Sequence, residues 1–211
     1  MSVPSIVEEI CFICKKTSEQ TILLSTNQFG SSDLDLRPPE MRRSTMIWWV
    51  QECPHCGYVN SNISNPTKIP EGWFTSEEYL SYDGREFVSR LAERFYKQHM
   101  IAMMEGNVKT AFFAVLHSAW ACDDAGDYDS AVFCRKKALE TLDKLSIKGE
   151  EKETFMLIKA DLLRRTEQFD LLIKEYKDKV FSQEILNKIA LFQIEKAKQQ
   201  DTDCYTVADV Q

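Results

Sequence analysis

The chain contains no proline after Pro70, although it continues to residue 211. A proline inside a helix removes a backbone hydrogen bond and clashes with the preceding turn, so this absence permits long uninterrupted helices. All six prolines lie in the first 70 residues, together with loops rich in serine and asparagine at residues 25–40 and 60–70. The composition therefore divides the chain near residue 75.

Long apolar runs are also missing. No stretch approaches the roughly 20 apolar residues that span a bilayer. The first ten residues lack the basic and apolar segments of a signal peptide. Hydrophobic residues make up 44% of the chain and charged residues 28%, which is typical of globular proteins. We therefore expect no membrane association and a cytoplasmic location.

Positive charge is in deficit, because 26 lysines and arginines face 33 aspartates and glutamates and leave a net charge of −7. An acidic chain repels the phosphate backbone of DNA and RNA. In the first 75 residues, adjacent basic residues occur as two isolated pairs, Lys15-Lys16 and Arg42-Arg43. The charge balance disfavours a nucleic-acid partner.

Common catalytic signatures are absent as well. The chain has three histidines and no phosphate-binding loop, zinc-protease motif, nucleophile elbow or dinucleotide fingerprint. We therefore expect a protein without enzymatic activity.

The cysteines are spaced in an informative pattern. Seven cysteines in a chain without an export signal argue against a disulfide framework. Cys11 with Cys14, and Cys53 with Cys56, form two C-x-x-C pairs, and Gly57 favours a tight turn after the second pair. Two such pairs supply the tetrahedral four-sulfur set that zinc accepts at about 2.3 Å. Because this set leaves no open coordination position, the predicted zinc site is structural.

Residues 15–52 separate the two pairs, a gap longer than the roughly 15–20 residues of the commonest pattern. A longer loop adds only about 0.6 kcal/mol of closure entropy per doubling, so the gap is tolerable. Iron accepts the same four thiolates, and reactive thiols in the two pairs would make a redox protein. The sequence leaves the choice between zinc and iron open.

The segment before residue 75 predicts short strands, at residues 21–25 and 45–51, separated by loops. Such small elements offer too little apolar surface to fold by burial alone, so the metal would hold them together.

The segment after residue 75 predicts helices from the spacing of its apolar residues. Capping-box spacing at Thr75 and Asp83 predicts helix starts there, and Ser182 predicts the N-cap of the last helix. The tail from Asp201 carries no helical pattern, and we expect it to be loose. The predicted helices cover residues 87–104, 109–124, 128–145, 150–165, 169–180 and 183–198.

Residues 119–140 resemble a tetratricopeptide repeat. Gly126-Asp127-Tyr128 matches the turn between the two helices of such a repeat, and Ala131 and Ala138 match its small packing positions. A second, weaker turn begins at Glu167, farther away than the roughly 34 residues of a regular array. The pattern indicates an irregular, tetratricopeptide-like bundle.

The chain as a whole resembles the bacterial family known as domain of unknown function 2225. The resemblance covers nearly the whole sequence and implies a zinc-ribbon-like N-terminus with a tetratricopeptide-like C-terminus, but no reaction. The residues that carry it are the pair Cys11 and Cys14, Arg37-Pro38, Trp49, the segment Cys53-Pro54-His55-Cys56-Gly57-Tyr58, Gly126-Asp127-Tyr128 with Ala131, and Leu191-Phe192-Gln193-Ile194-Glu195.

Together these observations predict an α+β protein that is mostly α. A zinc-ribbon-like module would occupy residues 1–74, a tetratricopeptide-like domain residues 75–200 and a flexible tail residues 201–211. The leading hypothesis is a non-catalytic adaptor or scaffold that binds a protein or peptide on its concave helical face. One alternative is a regulatory nucleic-acid-binding zinc ribbon that uses Arg37, Arg42 and Arg43. The other is a thiolate–metal redox protein.

Overall fold

The structure is a computed structural model that describes residues 1–210. It confirms the predicted class, since a small N-terminal strand module precedes a bundle of helices. The strands are β1 (Val3–Ile10), β2 (Thr17–Ser25), β3 (Gln51–Glu52) and β4 (Val59–Asn60). The α-helices are α1 (Glu77–Leu80), α2 (Arg90–Met104), α3 (Val108–Asp124), α4 (Tyr128–Leu142), α5 (Glu151–Arg165), α6 (Phe169–Tyr176) and α7 (Glu184–Lys198). Short 3-10 helices cover Arg43–Trp48, Glu71–Thr75, Tyr82–Gly84 and Val207–Val210.

The strands form two separate antiparallel hairpins. Strand β1 pairs with β2 from Val3 opposite Ser25 to Ile10 opposite Thr17, with an irregularity at the Val3 end. Strands β3 and β4 pair over two residues each. The turn of each hairpin contains one Cys-x-x-Cys pair, so the secondary structure itself presents both pairs at hairpin tips.

One strand prediction is wrong. Residues 45–48 form the end of the 3-10 helix Arg43–Trp48, and of the remaining three residues only Gln51 enters a strand. The Thr45 hydroxyl donates to the Arg42 carbonyl at 2.7 Å and accepts from the Trp49 indole at 3.0 Å, which favours a helical turn over an extended chain. β-Branched and aromatic residues favoured a strand, but these local hydrogen bonds override that propensity.

Three predicted helix starts are also wrong. Helix α1 is capped by Ser76, and α2 by Ser89, whose side chain accepts from the Ala92 amide. Asp83 accepts a hydrogen bond from the Tyr96 hydroxyl at 2.7 Å and starts no helix. The Ser182 hydroxyl donates to the Glu153 carboxylate and does not cap α7. In the last two cases a tertiary hydrogen bond occupies the group that local capping would use.

Three inter-helix turns share one geometry. In each turn, a residue with positive φ follows the first helix. The backbone amide of the next residue donates a hydrogen bond to the carbonyl five residues earlier. This bond gives a partner to one of the carbonyls left free at the helix end. The positive-φ residues are Gly106 (73°), Gly126 (70°) and Glu167 (62°), and the bonds are Asn107 N to Ala102 O, Asp127 N to Cys122 O and Gln168 N to Leu163 O, at 2.8–2.9 Å. The turn that matched a tetratricopeptide repeat therefore recurs along the bundle.

The largest apolar cluster includes residues of both segments. Cys11 and Cys53 belong to the same buried cluster as Phe95 on α2, Leu116 on α3 and Leu162 on α5. A second cluster lies around α5, α6 and α7. Buried side chains from both sides of the boundary predicted between residues 74 and 75 thus pack in one apolar cluster.

The tail is packed rather than loose in its described part, residues 201–210. The Val207 amide donates to Ser32 at 2.9 Å, and the Leu34 amide donates to Tyr205 at 2.9 Å. The ring centroids of Tyr205 and Phe192 lie 5.1 Å apart. The sequence pattern missed this segment because its order comes from contacts with a distant loop.

Among residues 1–210, no helix combines the length and the apolar character that crossing a bilayer requires.

Candidate metal centre

The four cysteines of the two pairs lie together. All four sulfur atoms of Cys11, Cys14, Cys53 and Cys56 are within 4.8 Å of one another. The sulfurs of Cys11 and Cys56, and those of Cys14 and Cys53, are 3.6 Å apart. A tetrahedral site with zinc–sulfur bonds of about 2.3 Å has sulfurs about 3.8 Å apart, whereas a disulfide joins them at about 2.05 Å. The cluster has the spacing of a metal site, and it could hold one ion.

Both hairpin tips have the same backbone geometry. The residue after each pair, Lys15 or Gly57, has a positive φ, of 59° and 73° respectively. Its amide donates to the carbonyl of the first cysteine of the pair at 3.0 Å in both tips. The tips are closed by Cys11 N to Lys16 O at 3.0 Å and Cys53 N to Tyr58 O at 2.8 Å. Because the two turns have the same geometry, each hairpin tip places two cysteine sulfurs, and the two tips together supply four.

Backbone amides point at the sulfurs. Burial raises the pKa of the Cys14 thiol, but the Lys16 amide and the neighbouring thiols outweigh it and hold the pKa below its ordinary value. Burial raises the pKa of Cys53 and Cys56 above the ordinary value, even though each sulfur accepts backbone N–H hydrogen bonds. A cation that replaces the thiol protons would neutralise the thiolates in this buried place.

The site is anchored to the surrounding structure on both sides. The Phe12 amide in the first tip donates to the Ile63 carbonyl at 2.8 Å. The hydroxyl of the buried Tyr79, on α1, donates to the Gly57 carbonyl in the second tip at 2.7 Å. The sequence analysis did not identify this contact, because α1 is one turn long and its position depends on tertiary packing.

The segment between the two pairs lies on the helices. Leu34 is buried in the cluster around α5–α7. The Asp35 carboxylate accepts from the Trp120 indole at 2.7 Å and lies 3.9 Å from Arg165. Burial, with the nearby Asp161, raises the pKa of Asp35 to about 6. The chain's own residues thus cover the part of α3 and α5 at Trp120 and Arg165.

Two of the three arginines that the nucleic-acid hypothesis requires form ion pairs within the fold. Arg37 is buried and pairs with Asp124 at 2.5 Å. Arg43 pairs with Asp33 at 2.5 Å. An arginine that is ion-paired within the fold offers little to a phosphate, so only the exposed Arg42 is left in this segment for that role.

Two histidines and two cysteines lie on helices α2, α3 and α4. His99 shares a hydrogen bond of 2.9 Å with the Ala111 carbonyl, and Cys122 and Cys134 are buried between α3 and α4. These three residues have packing roles. His117 differs, because it lies among aromatic rings beside Trp49.

No protein-family model, curated protein or solved structure matches this chain. The resemblance to domain of unknown function 2225 therefore stays a prediction.

Proposed function

We propose that the protein is an interaction adaptor whose N-terminal module is held by one structural zinc ion on Cys11, Cys14, Cys53 and Cys56. The observation that carries the proposal is the single cluster of four sulfurs at metal-site spacing. Four thiolates fill a tetrahedral ion completely, so the ion cross-links and does not bind substrate.

The ion would supply what the small hairpins lack. Each sheet has only two strands, and isolated two-stranded sheets are marginally stable in water. A zinc ion at the hairpin tips ties residue 11 to residue 56 and so fixes both hairpins against each other. Iron on the same ligands would favour the redox alternative.

An exposed apolar strip supports the adaptor part of the proposal. Ile6 and Ile10 on β1 are 68% and 59% exposed. Side chains two and four residues apart on a strand lie on the same face, so these two isoleucines form one outward strip with the exposed Glu8 between them. Exposed apolar surface of this kind is typical of protein contacts. Because residues 33–37 cover part of α3 and α5, the strip is a better candidate surface than the predicted concave face.

Metal analysis tests the zinc site. Protein purified without added metal should contain about one zinc per chain, and Cys11→Ser and Cys53→Ser should lose it. Cys204→Ser is the matched control, since Cys204 is exposed and lies outside the cluster. Iron in the wild type, or oxidised cysteine pairs without metal, would contradict the proposal.

Affinity capture tests the strip. The double variant Ile6→Glu with Ile10→Glu should lose the partners that the wild type retains, while zinc content stays unchanged. Val180→Glu, at a position 88% exposed, is the control for added charge. Equal capture by both variants would remove the strip from the proposal.

A further inference from the structure

A cavity of about 380 Å³ opens where the N-terminal module meets the helices. It lies between Trp49, which follows the 3-10 helix Arg43–Trp48, and helices α2 and α3. Gln98 on α2 and Phe113 and His117 on α3 line it. Neither hairpin tip contributes to its lining, so the cavity is separate from the cysteine cluster.

Aromatic rings form its walls. The imidazole of His117 lies 5.2 Å from the Trp49 ring and 6.4 Å from the Phe113 ring, measured between centroids. Phe95 and Trp120 close the far side of the imidazole at 5.1 and 4.9 Å. The Trp49 indole N–H is engaged by Thr45, so the ring is held in place and offers its face.

Two polar side chains in this cavity have no partner within residues 1–210. Gln98 and His117 are both half-buried, and neither forms a hydrogen bond with another described residue. By contrast, the adjacent His99 is bonded to a backbone carbonyl at 2.9 Å. Neither group is among the fully buried side-chain atoms that lack a partner, so both are open to a ligand that enters the cavity.

The cavity is close to neutral. Burial lowers the pKa of His117 to about 3, so the imidazole is uncharged at pH 7 and offers one donor and one acceptor. The Gln98 carboxamide also offers both. At the mouth, Lys109 is paired with Glu151 at 2.8 Å. The matching ligand is an uncharged flat ring with a polar edge.

A second cavity extends the first. It has a volume of about 350 Å³ and shares Ser61, Gln98 and Thr110 with the first. Asn60 and Asn65 line this extension. The Asn60 carboxamide is already bonded to the Tyr58 hydroxyl and to Ser61. The Asn65 carboxamide donates to Ser61, and its oxygen can accept from a main-chain amide beside a side chain held in the first cavity.

We propose that the two cavities bind a partner peptide through a tyrosine side chain. The ring lies between Trp49 and Phe113, and the hydroxyl exchanges hydrogen bonds with Gln98 and His117. This inference rests on the proposed adaptor function and names one residue of the partner. Aromatic residues are the usual anchors of such contacts, because they bury much area at low conformational cost.

The probe is the capped peptide Gly-Gly-Tyr-Gly-Gly, titrated into the isotopically labelled full chain at pH 7 and followed by amide and indole NMR shifts. Binding should shift the Trp49 indole signal and the amides around Gln98 and His117. The peptide with Phe in place of Tyr should bind about fivefold more weakly, since it leaves two polar groups unpaired. Adenosine, a flat ring from another source, should not compete.

Variants distinguish a loss of the binding site from a loss of the fold. Gln98→Ala and His117→Phe should abolish the preference for Tyr over Phe, whereas the exposed Gln28→Ala should keep it. Ser61→Trp, at an exposed position between the cavities, should block binding without disturbing packing. Zinc content and thermal unfolding are measured for each, so loss of the fold is recognised separately.

Two results would overturn the inference. One is equal binding of the Tyr and Phe peptides by the wild type, or no binding, while zinc content is normal. The other is competition by adenosine, which would assign the cavity to a nucleobase. The zinc site and the apolar strip are tested by separate experiments, namely metal analysis and affinity capture. A negative result for tyrosine binding can therefore be distinguished from a failure of the adaptor proposal.

Discussion

Hairpin β1–β2 and the helical hairpin α3–α4 differ in what they bury. On α3 and α4, small and apolar side chains such as Ala119, Cys122 and Ala138 are fully buried. On β1, Ile6 and Ile10 face outward, and the two-stranded sheet has little apolar surface to hide. Helices with a buried stripe stabilise themselves by packing, whereas in the proposed function the strand module depends on a zinc cross-link. The comparison predicts that loss of the metal affects the two regions unequally.

The largest expected effect is that of breaking the cysteine cluster. Structural zinc contributes on the order of 10 kcal/mol of binding free energy to the fold that holds it. Cys53→Ser should therefore remove hydrogen-exchange protection from all four strands, while α5–α7, which have their own apolar cluster, keep theirs. Cys204→Ser should change neither region. Simultaneous loss of protection in α5–α7 would show that the two regions unfold as one unit.

The next effect concerns the segment between the cysteine pairs. Leu34 is 4% exposed and Leu36, two residues later, is 44% exposed. Leu34→Ala should cost about 2–4 kcal/mol of unfolding free energy, and protease should then cleave around residues 26–43. Leu36→Ala is the matched control, with little effect. Similar denaturation midpoints for the two variants would mean that Leu34 is not a packing residue.

A smaller effect depends on pH. The pKa of Asp35 is about 6 in the fold, above the roughly 3.9 of an unfolded aspartate. The fold therefore binds this proton more tightly than the unfolded chain does, and stability falls as pH rises from about 4 to about 6.

Asp35→Asn keeps an oxygen for the Trp120 indole and removes this titration. The difference in unfolding free energy between variant and wild type should change by about 1–3 kcal/mol between pH 4 and pH 7, in favour of the variant at pH 7. Denaturant titrations across this range measure it. A difference that does not vary with pH would contradict the shift.

The smallest effect compares two equivalent turns. Gly126 and Glu167 occupy the same positive-φ position, which glycine adopts without strain. Glu167→Gly should stabilise the chain by up to about 1 kcal/mol, and Gly126→Ala should destabilise it by about 1 kcal/mol. Thermal unfolding of the pair measures both. Changes of the same sign would mean that the two turns are not equivalent.

Local patterns predicted the helices well, because apolar spacing along a helix is recorded in adjacent residues. They failed at Asp83 and Ser182, where a distant side chain is bonded to the carboxylate or hydroxyl that would cap a helix. Strand β1 was not predicted at all, since its exposed Ile6 and Ile10 give no simple inward–outward pattern. The candidate metal ligands were found because a C-x-x-C pair fixes two sulfurs within one turn.

The sequence alone determined the elements whose information is local, namely the six longer helices, the turn at Gly126 and the two cysteine pairs. Only the tertiary structure decided what meets across the chain. It brought the two pairs to 3.6 Å, laid Leu34 and Asp35 on the helices and tied Tyr205 to that same loop. The Trp49–His117 cavity belongs to this second group. The reason is physical: spacing encodes which face of an element is apolar, but contacts between distant segments depend on how those faces pack in three dimensions.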